Sequence, residues 1–253
     1  MTKAVFVTGA ATGTGLTIAK TFAKNGYGVV ITSRTEEKAQ AAAEEVGKEY
    51  GVFAKGYALG IRDEERIKEI FADLDQQGVF VETLVLNAAN LGFGNEPAKG
   101  LDFFTTPAEE FQAVFDTNLM WNMMIARQAA LRMRDQGKGA IVFISSNTAY
   151  RAIPNRTAYC ASKGGINAMA KALAIDLGPF GIRCNAVLPG TIKTERWHNM
   201  GAKGGSAAPI GDISDFEDIA NAAWYLGSDL SKNVTGIELI VDGGMSAQLT
   251  PRK

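Results

Sequence analysis

The sequence has little of what metal sites, disulfide frameworks and nucleic-acid surfaces are built from. It has one histidine and two cysteines, Cys160 and Cys184, and no Cys-x-x-Cys motif. We therefore expect no structural metal and no disulfide framework, which fits a reducing, cytoplasmic compartment. The formal net charge is −1 without a long run of lysine or arginine, so nucleic acid is not an expected partner. No apolar run reaches membrane-spanning length, and no signal-peptide pattern precedes the first one.

What the chain does have is a regular alternation of short β-branched runs and longer helical stretches. The predicted strands are Lys3–Thr8, Tyr27–Thr32, Val52–Ala58, Glu82–Asn87, Gly139–Ser145, Ile182–Leu188 and Gly236–Val241. Helices are predicted near residues 14–25, 35–50, 63–77, 107–135, 157–177 and 215–227. This alternation implies right-handed crossovers, so the sequence predicts an α/β protein with a doubly wound, seven-stranded parallel sheet and helices on both faces. No Pro-, Gly- or Ser-rich linker divides the strands, so residues 1–253 are expected to form a single domain.

Two long segments, Asn90–Thr105 and Thr191–Asp212, follow the ends of predicted strands. Ligands of open α/β sheets bind beyond those ends, and a long glycine-containing segment there is typical of a mobile lid. Residues 191–212 are therefore predicted to cover a substrate, with Trp197, His198 and Met200 as the side chains that touch it. The alternative is an ordinary surface excursion.

The first predicted strand runs into the glycine-rich turn "TGAATGTG", Thr8–Gly15, and then into a helix. Glycine lets a backbone turn tightly and approach a pyrophosphate closely, and the following helix offers free N–H groups to the phosphates. The pattern T-G-x-x-x-G-x-G, through Thr8, Gly9, Gly13 and Gly15, resembles the cofactor loop of the short-chain dehydrogenases/reductases, in their compact single-domain branch. The resemblance implies a Rossmann-like fold and an oxidoreductase.

Further motifs extend this resemblance from Lys3 to Gly244. They are Asn118 in "VFDTNLM", Ser146 thirteen residues before Tyr159, the Tyr-x-x-x-Lys pair of Tyr159 and Lys163, "NAVLPGTIKT" from Asn185 to Thr194, and "VDGG" from Val241 to Gly244. The chain departs from the family pattern at Gly60, where an aspartate usually contacts adenine, and in "LNAAN", where Leu86 and Ala89 interrupt the usual N-N-A-G.

The end of the second predicted strand indicates which dinucleotide is used. Ser33 and Arg34 stand where an NAD-selecting fold usually has an acidic residue, and a guanidinium suits a 2′-phosphate. NADP is therefore the predicted cofactor, with an NAD-preferring dehydrogenase as the alternative; Thr12 stands where many NADP-dependent members carry a basic residue. The resemblance implies cofactor contacts by Gly9, Thr12, Gly13, Gly15, Ser33, Arg34, Asn87, Tyr159, Lys163, Pro189, Gly190, Ile192 and Thr194.

Tyr159 and Lys163 lie four residues apart and therefore on one helix face. By itself such a pair is as well explained by a packed tyrosine beside a solvated lysine. A free tyrosine has a pKa of about 10, and a neighbouring ammonium is expected to lower it towards neutrality. The resemblance implies that Tyr159 is the general acid/base, Ser146 orients the substrate oxygen, Lys163 holds the nicotinamide ribose and Asn118 supports a relay water.

The sequence thus predicts an NADP(H)-dependent interconversion of a ketone and a secondary alcohol, on a small and possibly apolar substrate. A non-catalytic dinucleotide-sensing regulator is the alternative from another class. Two predicted helices, Phe111–Met133 and Ala158–Leu173, are apolar around most of their circumference. Because one apolar stripe suffices against a sheet, a homo-oligomer is expected, a tetramer or a dimer. Arg151 and Arg156 are interpreted as solvated loop charges.

Overall fold

The computed structural model describes residues 1–92, 100–194 and 208–249. Its described residues form one parallel sheet of seven strands in the order β3-β2-β1-β4-β5-β6-β7. The strands are β1 Thr2–Val7, β2 Gly28–Ser33, β3 Ala54–Ala58, β4 Val79–Leu86, β5 Gly139–Ile144, β6 Ile182–Pro189 and β7 Glu238–Val241. The predicted seven-stranded, doubly wound sheet is confirmed, with strand ends shifted by at most three residues.

Seven α-helices of the described ranges cover the two faces of the sheet. They are α1 Gly13–Lys24, α2 Glu36–Tyr50, α3 Glu64–Gln76, α4 Ala108–Phe115, α5 Asn122–Gln136, α6 Thr157–Leu177 and α7 Phe216–Gly227. Alternate residues of β1 enter different cores, because successive side chains of a strand point to opposite faces. Phe6 packs on the α3, α5 and α6 side, where its ring stacks on that of Phe71 with centroids 5.3 Å apart. Val5 and Val7 pack on the α1, α2 and α7 side.

The single helix predicted over residues 107–135 is interrupted in the structure. A π-helical turn, Asp116–Trp121, separates α4 from α5 along one continuous helical path. The hydrophobic pattern does not reveal such a turn, because it adds one residue to the helix without breaking its course. π-Turns occur often at functional sites, and this one contains Asn118.

The strand order places β1 between β2 and β4, so the chain winds outward from β1 in both directions. In open α/β sheets, ligands bind at such a switch point, beyond the carboxyl ends of the strands. The glycine-rich turn after β1 and the segments after β4, β5 and β6 all lie at this edge. Within the described ranges, no helix has the length and apolar character needed to cross a membrane.

Candidate active site

The glycine-rich turn after β1 has a backbone that only glycine accommodates well. Gly9 and Gly13 have positive φ angles of 61° and 56°. A Cβ added to Gly15 would lie 2.7 Å from the carbonyl oxygen of Gly9 and 2.7 Å from Nδ2 of Asn87. The three glycines therefore make a cradle of bare backbone.

Helix α1 begins inside this cradle with its first N–H groups open. Thr12 precedes the helix in an extended conformation, and its side chain makes no capping hydrogen bond within the part of the chain that the structure describes. Asn87, after β4, holds the turn in place: its Nδ2 donates to the carbonyl oxygens of Thr8 at 3.0 Å and Gly9 at 3.2 Å. The turn is thus fixed, and the positive end of the α1 dipole faces outward from the sheet edge.

At the end of β2, Arg34 is exposed and Ser33 is half-buried. Arg34 forms no ion pair with the described residues, whereas the carboxylate of Glu36, two residues later, has protein partners. Glu36 accepts the backbone N–H of Ala58 and lies 3.7 Å from the Arg66 guanidinium. The Glu36 carboxylate is therefore directed towards β3 and α3, whereas Arg34 forms no ion pair with the residues that the structure describes.

The segment after β3 contains Gly60, the position where the sequence departs from the expected aspartate. Gly60 is open, since an added Cβ would meet no described atom within 4 Å, and Ile61 is 55% exposed. Arg62 has a positive φ of 65° and pairs with Asp116 at the start of the π-turn. This ion pair could not be predicted from the sequence, because Arg62 and Asp116 are far apart in the chain.

Ser146 and Tyr159 meet beyond the end of β5. Ser146 caps a short 3₁₀ turn, Asn147–Ala149, and its Oγ accepts the backbone N–H of Thr148 at 3.2 Å. Tyr159 lies in the first turn of α6, and the Ser146 hydroxyl is close enough to lower the pKa of its phenol. The thirteen-residue spacing thus brings the two hydroxyl groups to the same region beyond β5.

Lys163 is buried one turn after Tyr159. Its Nζ donates to the carbonyl oxygen of Ile144 at 2.8 Å and lies 5.5 Å from the centroid of the Tyr159 ring. Burial lowers the pKa of Lys163 to about 7. Burial also raises the pKa of Tyr159 to about 12, although the nearby Ser146 hydroxyl opposes this rise.

The expected lowering of the Tyr159 pKa is therefore wrong for the chain by itself. Burial of the phenol is the largest influence on its pKa, and burial also lowers the pKa of the neighbouring Lys163 to about 7, which weakens its average positive charge at neutral pH. At neutral pH the tyrosine remains a phenol and can donate a proton.

Asn118 is completely buried in the π-turn, and both ends of its amide are bonded to protein atoms. Its Nδ2 donates to the carbonyl oxygen of Asn90 and to Ser162 Oγ, both at 2.9 Å, while its Oδ1 accepts the N–H of Asn90 at 2.8 Å. Asn118 thereby connects the segment after β4 to helix α6 beside Lys163.

One side of Tyr159 is apolar. Leu101, Val114 and Ala158 form a small buried cluster on which the tyrosine packs. Arg156, interpreted from the sequence as a solvated charge, instead donates to the carbonyl oxygen of Gly92 at 3.0 Å. Arg151 likewise donates to the carbonyl oxygen of Met245. Both arginines therefore bind backbone carbonyl groups of other segments of the chain.

The segment after β6 closes this edge of the sheet. Gly190 donates its N–H to the carbonyl oxygen of Val241 at 2.9 Å, and a Cβ on it would lie 2.6 Å from the Cβ of Asp242. Pro189 ends β6, and Ile192 bridges to Ser214. Thr194 is the last described residue before a gap, and the predicted lid residues Trp197, His198 and Met200 lie outside the described residues.

Comparisons with known proteins decide the family. The sequence model described as enoyl-(acyl carrier protein) reductase matches residues 9–246. An L-rhamnose 1-dehydrogenase (NAD(P)(+)) of Azotobacter vinelandii is 33% identical over 262 residues, covering 98% of each chain. The chain belongs to the short-chain dehydrogenase/reductase family.

Solved structures of this family have the same fold. A putative gluconate dehydrogenase from Agrobacterium tumefaciens has a TM-score of 0.90 at 29% identity, with 98% of this chain and 97% of that chain covered. ElxO with NADP bound has a TM-score of 0.87 at 29% identity, covering 98% of this chain and 100% of that chain. Short-chain dehydrogenases/reductases are oxidoreductases that use nicotinamide dinucleotides.

The residues of this short-chain dehydrogenase/reductase fit such a dinucleotide. The glycine-rich turn presents bare backbone to a pyrophosphate, and the first N–H groups of α1 face the same place. At the end of β2, Arg34 is exposed and forms no ion pair with the described residues. Among the described residues, no group of three or more His, Cys, Asp and Glu side chains is arranged to hold a metal ion.

Proposed function

We propose that the protein is an NADP(H)-dependent oxidoreductase that interconverts a ketone and a secondary alcohol, with Tyr159 as general acid/base. The observation that carries this proposal is buried Lys163 beside the Tyr159 ring, with Ser146 close to the phenol, at the carboxyl edge of the sheet. A carbonyl oxygen placed between the two hydroxyls receives a proton from one and a hydrogen bond from the other.

Each side chain has a separate task in this proposal. Tyr159 protonates the carbonyl oxygen, and Ser146 orients it. Lys163 binds the nicotinamide ribose, and its ammonium form favours the tyrosinate left after proton transfer. Asn118 supports the water that returns a proton to this region, and it holds Asn90 against α6. The bound cofactor supplies the hydride.

The cofactor is proposed to be NADP rather than NAD. Arg34 and Ser33 bind the 2′-phosphate, and the Glu36 carboxylate is occupied by Ala58 and Arg66. Gly9, Thr12, Gly13 and Gly15 hold the pyrophosphate, with Asn87 supporting their turn. The nicotinamide end is bound by Pro189, Gly190, Ile192 and Thr194, and residues 191–212 form the lid. The NADP-bound structural neighbour supports this assignment.

The first test is NADPH oxidation with a panel of apolar ketones and open-chain keto sugars, read at 340 nm. The panel includes sugars because a relative is a rhamnose dehydrogenase and a structural neighbour a putative gluconate dehydrogenase. We expect turnover with at least one class, and a kcat/KM for NADPH about tenfold or more above that for NADH, since only NADPH reaches Arg34. Comparable values for the two cofactors would overturn the NADP assignment, and NADPH binding without turnover would favour a dinucleotide-sensing regulator.

The control for this preference is a pair of charge deletions. Arg34→Ala should reduce the NADPH preference about tenfold and leave the NADH reaction within twofold, because NADH has no 2′-phosphate. Lys48→Ala removes an exposed cation from the far end of α2 and should change neither reaction.

We also propose a homo-oligomer, a dimer or a tetramer, assembled through α5 and α6. An apolar groove of about 360 Å³ runs between these helices, lined by Met123, Leu131, Leu173, Leu177 and Phe180 among others. Met123 is 42% exposed and Phe180 is 45% exposed in the single chain. A second copy would cover this surface.

Leu131→Glu should therefore reduce the mass measured by light scattering at micromolar concentration, because a carboxylate would be buried in the interface. Leu230→Glu, at an exposed leucine outside the groove, should leave the mass unchanged. A monomeric wild type would contradict the proposal.

A cytoplasmic location is proposed as well, since both cysteines are free thiols.

A further inference from the structure

A hydrogen-bonded network lies behind the Ser146–Tyr159 pair, on residues that the mechanism above does not use. Ser145 immediately precedes Ser146 and is buried. Its Oγ lies 2.7 Å from Asn167 Oδ1 and 3.2 Å from the carbonyl oxygen of Lys163. A hydroxyl has one proton, so it donates to one of these acceptors at a time. The end of β5 is thereby connected to α6 at the main chain of Lys163.

The network continues from α6 to the edge strand β7. Nδ2 of Asn167 donates to Glu238 Oε2 at 2.9 Å. The Glu238 side chain is only 9% exposed, and it also accepts the hydroxyl of Tyr150 and pairs with Lys171. One carboxylate therefore connects β7, two positions of α6 and the loop that follows Ser146.

The carboxylate of Glu238 is the member on which the others depend. Burial raises its pKa, but Lys171, Tyr150 and Asn167 together outweigh burial and hold the pKa below its usual range. Glu238→Gln leaves one acceptor oxygen for the three donors Lys171, Tyr150 and Asn167, so the hydrogen bond that orients the Asn167 amide towards Ser145 is weakened. Buried polar groups that lose a partner favour a different arrangement, so the register between β5 and α6 would loosen.

Lys163 is held to the same strand end by its side chain as well. Its Nζ donates to the carbonyl of Ile144, and its own carbonyl lies beside the Ser145 hydroxyl. Ile144, the last residue of β5, thus holds the ammonium group, and Ser145, the next residue, lies against the main chain of the same lysine.

We propose that Glu238 is a positioning residue: through Asn167 and Ser145 it holds the main chain of Lys163 against the end of β5. This inference rests on the proposed function, in which Lys163 acts on the cofactor and on Tyr159. Displacements of about 1 Å at a reacting group reduce rates by up to about a hundredfold, so a remote anchor of this kind affects kcat.

The test compares Glu238→Gln with a matched control, Glu82→Gln. Glu82 has similar chemistry, since its side chain is 12% exposed, accepts the Tyr27 hydroxyl at 2.8 Å and lies 3.4 Å from Lys138. Glu82 lies in the first half of β4, away from the carboxyl ends of the strands where Ser146 and Tyr159 lie. Both variants should lower Tm by a similar amount, whereas only Glu238→Gln should lower kcat, by about tenfold, with the ketone KM within twofold.

A double-mutant cycle shows whether the effect travels through Ser145. In a Ser145→Ala background, Glu238→Gln should lower kcat by less than about twofold further, because the connection is already cut. Full additivity, or a kcat for Glu238→Gln equal to that of Glu82→Gln, would overturn the proposal.

The positioning role can be separated from the proposed function by amide hydrogen exchange of residues 160–167. If the wild type reduces no ketone, the proposed function fails, but the exchange experiment still decides the inference. Faster exchange in Glu238→Gln than in the wild type and Glu82→Gln supports it, and equal exchange in all three overturns it.

Discussion

Replacing Tyr159 by phenylalanine should lower kcat for ketone reduction by about a thousandfold while the protein stays folded. In the proposed function the phenol gives a proton to the carbonyl oxygen, and general acid catalysis contributes roughly 10² to 10⁴ in rate. The ring itself is retained, so its packing on Leu101 and Val114 is unchanged. The loss should be read from steady-state kinetics, with NADPH binding followed separately by fluorescence.

A matched control distinguishes chemistry from the loss of any tyrosine hydroxyl. Tyr27→Phe removes a hydroxyl that donates to Glu82 at 2.8 Å, remote from Ser146. It should leave kcat within about twofold and lower stability by about 1 kcal/mol. If Tyr159→Phe retains more than about a tenth of the wild-type kcat, Tyr159 is not the acid/base.

The direction of the Tyr159 pKa also bears on the direction of reaction. Since burial raises that pKa to about 12, the phenol stays protonated at neutral pH. A protonated phenol is the form that the proposed reduction of a ketone requires. Oxidation of an alcohol needs the tyrosinate, which forms only when positive charge is brought close to the ring.

The fold could be predicted from the sequence because buried parallel strands leave a strong local signal. "KAVFVT" and "AIVFIS" are short β-branched runs, and in the structure Val5, Phe6 and Phe143 are fully buried. The glycine-rich turn could also be predicted, because positive φ angles at Gly9 and Gly13 favour that residue type. Strand ends were predicted less exactly: β3 begins at Ala54, two residues after the predicted start.

The motif spacing predicted that Ser146 and Tyr159 lie close together. It did not predict the polar side-chain contacts around them. Arg62 and Asp116 are separated by 54 positions, and Asn167 and Glu238 by 71. No local pattern records which polar side chains meet across such distances. The burial of Tyr159 and Lys163 also depends on packing, which is why the predicted lowering of the Tyr159 pKa was wrong.

Lys163→Met should change activity and stability in opposite directions. Turnover should fall by about a hundredfold or more, because the variant loses both the ribose contact and the charge that favours a tyrosinate. Stability should rise, because burial lowers the pKa of Lys163 to about 7, which means that the folded chain disfavours the ammonium form. Met fills a similar volume without that penalty.

The sign of the pH dependence follows from the same shift. Between about pH 7 and pH 10.5, the unfolded chain binds a proton at Lys163 that the folded chain has released, so this residue makes the wild type more stable as pH rises. The advantage of Lys163→Met is therefore largest at and below pH 7 and shrinks as pH approaches 10.5. At pH 7 we expect a gain on the order of 2 kcal/mol, after allowing for the hydrogen bond that the Ile144 carbonyl loses.

Denaturant unfolding at pH 7 and pH 9.5, beside kinetics on the same samples, provides the measurement. Lys171→Met is the control, since Lys171 is an exposed lysine on the same helix whose pKa is raised by its pairing with Glu238. That variant should lose stability rather than gain it. A Lys163→Met protein that is less stable than wild type at pH 7 would mean that the buried amine contributes to the fold. A more stable but inactive variant would mean that the fold tolerates Lys163 at a cost, and that its place beside Tyr159 is maintained for the reaction.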